Sequence, residues 1–167
     1  HLDGTQMQLG LAAVMPYGKM TFRDTGETYK VKEKVWLMPS MYFTHQINDR
    51  LTVGIGEFSR FGLGFDYGSH WEGAGNIYRV KLQTASVNPN IAYKFTDKLS
   101  VAVGVEVMWL DITLKKNSPT PLPGTSIRSD VSGDNFGIGG NIALHYQFND
   151  QWAAGISYRS PIEQHVK

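Results

Sequence analysis

The sequence predicts an all-β chain that forms about seven strands of an antiparallel up-and-down transmembrane β-barrel. Three observations predict this fold. A segment with a short polar break recurs three times, apolar and polar residues alternate on both sides of each break, and short connections alternate with long ones. The composition agrees, because 18 glycines, 8 Phe, 8 Tyr and 4 Trp accompany only 19% charged residues in a chain of 167.

The three repeats define three tight turns. Asn, Asp and Thr suit such turns because their side chains cap the local backbone. The spacing of 48 and 53 residues between the central aspartates leaves room for two long strands and a loop between turns. The breaks are Asn48-Asp49, Thr96-Asp97 and Asn149-Asp150.

Alternation about these aspartates has a period of two. Of the 21 residues at even offsets from −8 to +6, all are non-polar or aromatic except His45. None of the 18 residues at odd offsets between −7 and +7, other than the two next to each aspartate, is Val, Ile, Leu, Met, Phe or Trp. This pattern predicts three antiparallel hairpins, each with one apolar face and one polar or small face.

The whole chain, residues 1–167, is predicted to be one segment of a barrel. Two of its strands run well past the ~9–11 residues that cross a bilayer. The predicted strands are 5–17, 35–47, 50–58, 78–95, 98–114, 135–148 and 151–160. Between them lie three long loops, 18–34, 59–77 and 115–134, the last of which is rich in proline.

Alternation alone leaves the direction of the apolar face open. In a soluble sandwich or lipid-binding cup that face points inward, whereas in an outer-membrane barrel it points to lipid. Short turns at one end and long loops at the other favour the barrel. So do the aromatic residues beside the short turns, which match an interfacial girdle. These are Tyr93, Phe95, Tyr146, Phe148 and Trp152.

Charge and composition exclude several functional classes. A net charge of +1 gives no basic excess for nucleic acid, and no apolar run reaches the 18 residues of a transmembrane helix. The absence of cysteine excludes disulfide scaffolds, thiol catalysis and Cys-ligated metals. Residues 1–4, with which the sequence starts, show no signal peptide, so we expect a cytosolic chain or a mature form or fragment of an exported one. We predict no catalytic residue, no metal site, no cofactor and no enzymatic activity.

Several stretches, taken in order, resemble the FadL family of bacterial outer-membrane transporters for long-chain fatty acids and other hydrophobic compounds. The resemblance covers most of residues 35–115 and 135–167. Its motifs are Trp36–Phe43 with Ile47–Arg50, Phe61–Gly64, Ser86–Tyr93, Leu99–Gly104 and Ile156–Ser160. That family has a barrel of about 14 strands and an N-terminal hatch with an Asn-Pro-Ala motif. The sequence resembles a fragment that lacks the hatch and the C-terminal half.

The resemblance implies residence in the bacterial outer membrane and passive transport of hydrophobic compounds. The implied partners are hydrophobic small molecules such as fatty acids, together with outer-membrane lipid and lipopolysaccharide. It further implies capture at an apolar loop, transfer to a pocket in the lumen, and release sideways or past a hatch. Two alternatives stay open: a structural or surface-binding outer-membrane barrel without transport, and a soluble lipid-binding β-cup.

Candidate ligand-binding residues fall in two places. The loop 59–77 carries Phe61, Leu63, Phe65 and Trp71, and exposed apolar patches of this kind mark binding sites. The resemblance implies a capture groove there and an inward bend of the third strand near Gly62, which opens the wall. The alternative is that these aromatic residues pack the loop onto the barrel mouth.

The second candidate place is the lumen. Met108 and Leu110 lie on the lumen side in the predicted alternation. Together with Trp36 and Met38, near the outer end of their own strand, they are predicted to line an apolar slot. The resemblance implies a basic residue nearby, which makes Lys116 the candidate for binding a carboxylate.

A polar network is also predicted on the lumen side. Glu106 and Arg159 lie at similar heights in the predicted strands and are candidates for an ion pair bridged by Asn141. A charge held inside a barrel needs such a partner. The network either orients a ligand head group or satisfies the lumen structurally.

Overall fold

The computed structural model describes residues 4–32, 35–69, 71, 77–121 and 125–165. These residues form ten β-strands. None of them belongs to a helix long and apolar enough to cross a membrane. The strands are β1 Thr5–Val14, β2 Lys19–Thr21, β3 Thr28–Lys30, β4 Trp36–Asn48, β5 Leu51–Phe58, β6 Gly62–Asp66, β7 Arg79–Lys94, β8 Leu99–Pro119, β9 Ser126–Gln147 and β10 Ala153–Arg159.

The main sheet is an antiparallel meander. Its strand order is β1-β4-β5-β7-β8-β9-β10, and β6 pairs with β7 beyond the end of β5. Strands β2 and β3 form a separate small hairpin inside the loop between β1 and β4. Each strand of the meander thus pairs with a neighbour that follows it closely in the chain, as the predicted all-β, up-and-down arrangement requires.

The three predicted tight turns share one capping arrangement. The side-chain oxygen of Asn48 accepts hydrogen bonds from the backbone amides two and three residues later, at 3.0 and 2.9 Å. Asn149 repeats this contact at 3.0 and 2.9 Å, and the Thr96 hydroxyl repeats it at 3.2 and 3.0 Å. The residue before each aspartate is therefore the one that holds the turn.

The apolar face of the sheet points outward, away from the enclosed side. Phe43 is 40% exposed and Leu144 is 43% exposed, and both lie on that face. The enclosed face carries the most buried side chains, which are largely polar. They include Thr84, Ser86, Asn88 and Glu106. This inside-out distribution is the one that a barrel in lipid requires, and it contradicts the alternative of a soluble cup with a dry interior.

The predicted loop 115–134 was wrong in extent. Strands β8 and β9 continue far into it, with register partners out to Pro119 and Ser126, so only residues 120–125 connect them. Side chains such as Asn117, Ser118 and Ser129 are polar on both faces of this extension. Since no lipid-facing stripe is needed there, the alternation that marks the other strands is missing.

The other two predicted long loops also contain strands. Loop 18–34 includes the β2–β3 hairpin, and loop 59–77 includes β6. These strands have three to five residues, too few for a period of two to stand out in the sequence. Residues 33–34, 70, 72–76 and 122–124 of the three predicted loops lie outside the described residues.

The outward apolar face can be tested with two substitutions on the same strand. Ile142 lies on the outer face of β9 and His145 lies on the inner face. Ile142→Arg should lower the free energy of unfolding by about 2–4 kcal/mol, because it puts a charge against lipid. His145→Arg should cost much less. Urea unfolding of the protein in lipid vesicles measures both, and equal losses would contradict the assigned faces.

Candidate ligand passage through the barrel wall

A bulge separates β5 from β6. Phe58 is the last residue of β5 and pairs with Ser86, whereas Gly62 begins β6 and pairs with Gln83. Four residue steps on one strand therefore face three steps on β7, so one extra residue is inserted. Such insertions bend the strand and interrupt its ladder.

Side chains of the neighbouring strand satisfy the backbone of this bulge. The Thr84 hydroxyl accepts a hydrogen bond from Phe61 N at 3.1 Å and donates one to Phe61 O at 2.6 Å. The Ser59 hydroxyl donates to the backbone oxygen of Thr84. Polar backbone groups at membrane depth need such partners, so the bulge is a stable irregularity of the wall.

The bulge leaves an opening between β4 and β6. Strand β4 pairs with β5 only from Asn48 back to Met41, which lies opposite Glu57. Residues 36–40 of β4 continue beside β1, but in the described part of the chain they have no ladder to β6. The wall therefore lacks backbone pairing on one side over this stretch.

A cavity of about 310 Å³ occupies the opening. Its lining comes from both faces of the wall. By the alternation along their strands, Met38, Leu82 and Thr84 lie on the inner face, whereas Leu37 and Gln83 lie on the outer face. The lining of this one space therefore includes residues from both faces of the sheet. Apolar lining of this kind suits a hydrophobic ligand.

Gly64 lets β6 approach Trp36 of β4 closely. A Cβ atom added to Gly64 would overlap the indole ring of Trp36, which belongs to β4. Gly64 shares the face of Lys81, which points outward, whereas Trp36 has inward parity on β4. The close approach of Trp36 to Gly64 is consistent with an inward bend of β6. The bend that the resemblance implies stays a prediction.

A buried carboxylate anchors the bulge. Glu106 on β8 is 1% exposed and lies 2.8 Å from Nε of Arg60, and Nη2 of Arg60 donates to its second oxygen at 3.0 Å. Arg159 lies farther away, with Nη1 at 3.9 Å from Glu106 and its guanidinium 5.0 Å from the centre of the Phe58 ring. The predicted pair of Glu106 and Arg159 is therefore a minor contact beside the ion pair with Arg60.

Asn141 does not bridge Glu106 and Arg159. Its side chain accepts a hydrogen bond from Asn88 and donates one to Asn90, both at 2.8 Å. Asn90 in turn donates to Asn88 at 2.7 Å, which closes a ring of three amides. The Asn90 side chain fills the space above Gly104, where no Cβ would fit. The predicted bridge was wrong because the amides of β7 and β9 satisfy each other across Gly104 of β8.

The structure divides the predicted capture loop. Phe65 and Trp71 belong to an aromatic cluster with Tyr67, in which Tyr67 stacks on Trp71 at 4.7 Å and Phe65 lies 5.6 Å from Tyr67. Phe22 and Tyr29 of the β2–β3 region complete this cluster. These aromatic residues pack one loop on another. Leu63 instead lines the wall cavity and is 58% exposed, and Phe61 is exposed at the bulge.

The residues of the predicted lumen slot lie in different places in the described part of the chain, and the slot stays a prediction. Met108 and Leu110 are buried, and neither lines the wall cavity. The chain after β10 crosses the enclosed face beside them, where Gln164 donates to Met108 O at 3.4 Å. Lys116 lies six residues beyond Leu110 on β8, about 20 Å along an extended strand. It lines a different, shallow pocket near Ile77.

Sequence reasoning missed Arg60 and Glu57. Arg60 lay in a predicted loop, and nothing in a loop sequence shows which carboxylate it will meet. Glu57 lies at offset +8 from Asp49, one step beyond the counted alternation. A count that included offset +8 would have shown a charged residue among the apolar, lipid-facing positions.

The antiparallel meander and its outward apolar face define the wall of an outer-membrane β-barrel. Comparison with known proteins agrees. The family described as "Outer membrane protein transport protein (OMPP1/FadL/TodX)" matches residues 1–167. The chain belongs to this family, which consists of outer-membrane transport proteins and not of enzymes. The predicted family, barrel fold and outer-membrane location are thereby confirmed.

Individual relatives are similar over most of this chain. It is 28% identical to the 47 kDa outer membrane protein of Pasteurella multocida, covering 99% of this chain and 42% of that one. It is 24% identical to the long-chain fatty acid transport protein of Escherichia coli, covering 83% and 36%. The P. putida toluene transporter TodX has the same fold, with a TM-score of 0.77 and 21% identity over 96% and 48%. The chain thus spans less than half of each.

The ion pair beneath the bulge can be tested by removing one or both partners. Arg60→Ala should cost about 3–5 kcal/mol of unfolding free energy, because it leaves a buried carboxylate without its closest cation. Arg60→Ala combined with Glu106→Gln should recover part of that loss. Arg50→Ala, in an exposed turn, is the control. Equal losses for the single and double variants in urea unfolding would show that the pair does not anchor the bulge.

Proposed function

We propose that the chain forms part of a channel that passes hydrophobic molecules passively across the bacterial outer membrane and releases them sideways through the opening between β4 and β6. The observation that carries the proposal is the cavity whose lining comes from both faces of the wall. A hydrophobic molecule that leaves by this route enters acyl chains and never crosses water. Transfer of apolar surface into such surroundings is favourable, at roughly 25 cal/mol per Å².

The wall supports this route in two further ways. The bulge is held by Thr84 and by the ion pair of Arg60 with Glu106, so the opening persists without a ligand. The enclosed face on the turn side of the opening is filled by the amide ring of Asn88, Asn90 and Asn141. A hydrophobic molecule therefore meets a polar surface below and an apolar opening at its side.

The names of similar proteins support the substrate class. One relative is called a long-chain fatty acid transport protein, and one structure of the same fold is called a toluene transporter. Both names describe hydrophobic compounds. For this chain we propose capture near the exposed Phe61 and Leu63 and passage through the wall cavity. Fatty acids and aromatic hydrocarbons both belong to the class tested below.

A structural barrel without transport is the second candidate, because the amide ring and the buried Met108 and Leu110 fill part of the enclosed side. The two candidates differ in one respect. If the opening carries transport, closing it must stop uptake. If it is only an irregularity of the wall, closing it must leave uptake unchanged.

Cross-linking across the opening tests the proposal, and the chain contains no cysteine to interfere. Leu37→Cys and Leu63→Cys, both at the cavity, are joined by a reducible bifunctional thiol reagent. Cells that carry the protein in their outer membrane should then lose uptake of radiolabelled toluene and oleate, and reduction should restore it, because the lateral route is blocked and reopened.

The control pair is Val87→Cys with Val107→Cys, which are register partners on the continuous wall between β7 and β8. Cross-linking this pair should leave uptake unchanged. Unchanged uptake after cross-linking the pair at positions 37 and 63 would refute lateral release.

A further inference from the structure

A carboxylate faces the lipid side at the edge of the wall opening. Glu57 is the register partner of Met41 on one side and of Val87 on the other, and Val87 pairs with Val107. The neighbouring members of this row are apolar and outward-facing, and Val87 is 43% exposed. Trp109 and Phe136 form the next outward-facing row, two residues farther from the tight turns. Glu57 therefore lies inside the apolar band.

An ionisable side chain in that band is costly unless it has a task or a partner. In the part of the chain that the structure describes, Glu57 has no ion pair, and it lines the wall cavity. The continuous wall between β7 and β8 carries valine in the same row. The charged residue of this row therefore lies at the end of the described β4–β5 ladder, beside the bulge.

The described lining of the cavity contains no lysine or arginine. Its remaining members are apolar, aromatic or neutral polar residues, among them Trp36, Leu82 and Gln83. Arg60, between the lining residues Ser59 and Gly62, is paired with Glu106. Lys32 and Arg79 line a much smaller cavity that shares Trp36 and Gly64 with the first. Arg79 lies 3.9 Å from Asp66 there. The described lining of the cavity therefore carries one acidic side chain, Glu57, and no basic one.

We infer that Glu57 makes the passage selective for uncharged hydrophobic molecules over carboxylates of the same size. A carboxylate ligand would bring a second negative charge next to Glu57 where little water screens the repulsion, and no cation of the lining offsets it. A neutral hydrocarbon or alcohol meets no such barrier. This inference rests on the proposed lateral passage and ranks neutral molecules above carboxylates within its substrate class.

Two probes of equal chain length test this selectivity, namely radiolabelled 1-dodecanol and dodecanoate. Uptake is measured in cells that carry the protein in their outer membrane and lack other transporters of this family. The unaltered protein should take up dodecanol in preference to dodecanoate. Glu57→Gln should raise the ratio of dodecanoate to dodecanol uptake by about tenfold, since it removes the repelling charge and keeps the shape. Glu57→Lys should raise the ratio further.

The control is Asp134→Asn, which removes an outward carboxylate of β9 that does not line the cavity and should leave the ratio unchanged. If the unaltered protein takes up neither probe, the proposed passage fails. If it takes up dodecanol but Glu57→Gln leaves the ratio unchanged, the passage stands and the selectivity is refuted. A preference of the unaltered protein for dodecanoate would also refute it.

Discussion

The hydrogen-bonded ladder between neighbouring strands is the interaction on which the rest of this structure depends. Acyl chains offer no partner to a backbone amide or carbonyl, so each strand in the membrane must pair along its length. Pairing fixes the period of two, and lipid on one side then selects Val, Ile, Leu and aromatic residues for every second position. The outward Val103, Val105 and Val107 of β8, alternating with inward Gly104 and Glu106, are the direct result.

The opening is an exception that the wall compensates locally. One inserted residue breaks the ladder, and the hydroxyls of Thr84 and Ser59 replace part of the missing backbone pairing. The inserted segment also turns Arg60 inward, where it forms an ion pair with Glu106. The same insertion reverses the side-chain parity: Glu57 points outward on β5, whereas Leu63 points inward on β6. The inserted residue therefore determines the ion pair that holds the bulge, the outward position of Glu57 and the inward position of Leu63.

Regular parts of the fold were predictable from the sequence because lipid imposes a pattern on them. The three turns follow from Asn48, Thr96 and Asn149, whose side chains act within three residues. The extensions of β8 and β9 lie where no apolar stripe is required, so their sequence lacks the alternation that would predict a strand. The partner of Arg60 was unpredictable for another reason. It depends on a register shift between β5 and β6, and one residue of slip changes every contact.

A cysteine scan of residues 52–66 with spin labels tests the bulge most directly. The accessibility of each label to oxygen dissolved in lipid and to a water-soluble relaxation agent shows which face it occupies. Positions 53, 55 and 57 should be lipid-facing, and the alternation should reverse across residues 59–61, so that positions 63 and 65 are turned away from lipid. An unbroken alternation that places positions 63 and 65 in lipid would contradict the bulge, and with it the passage.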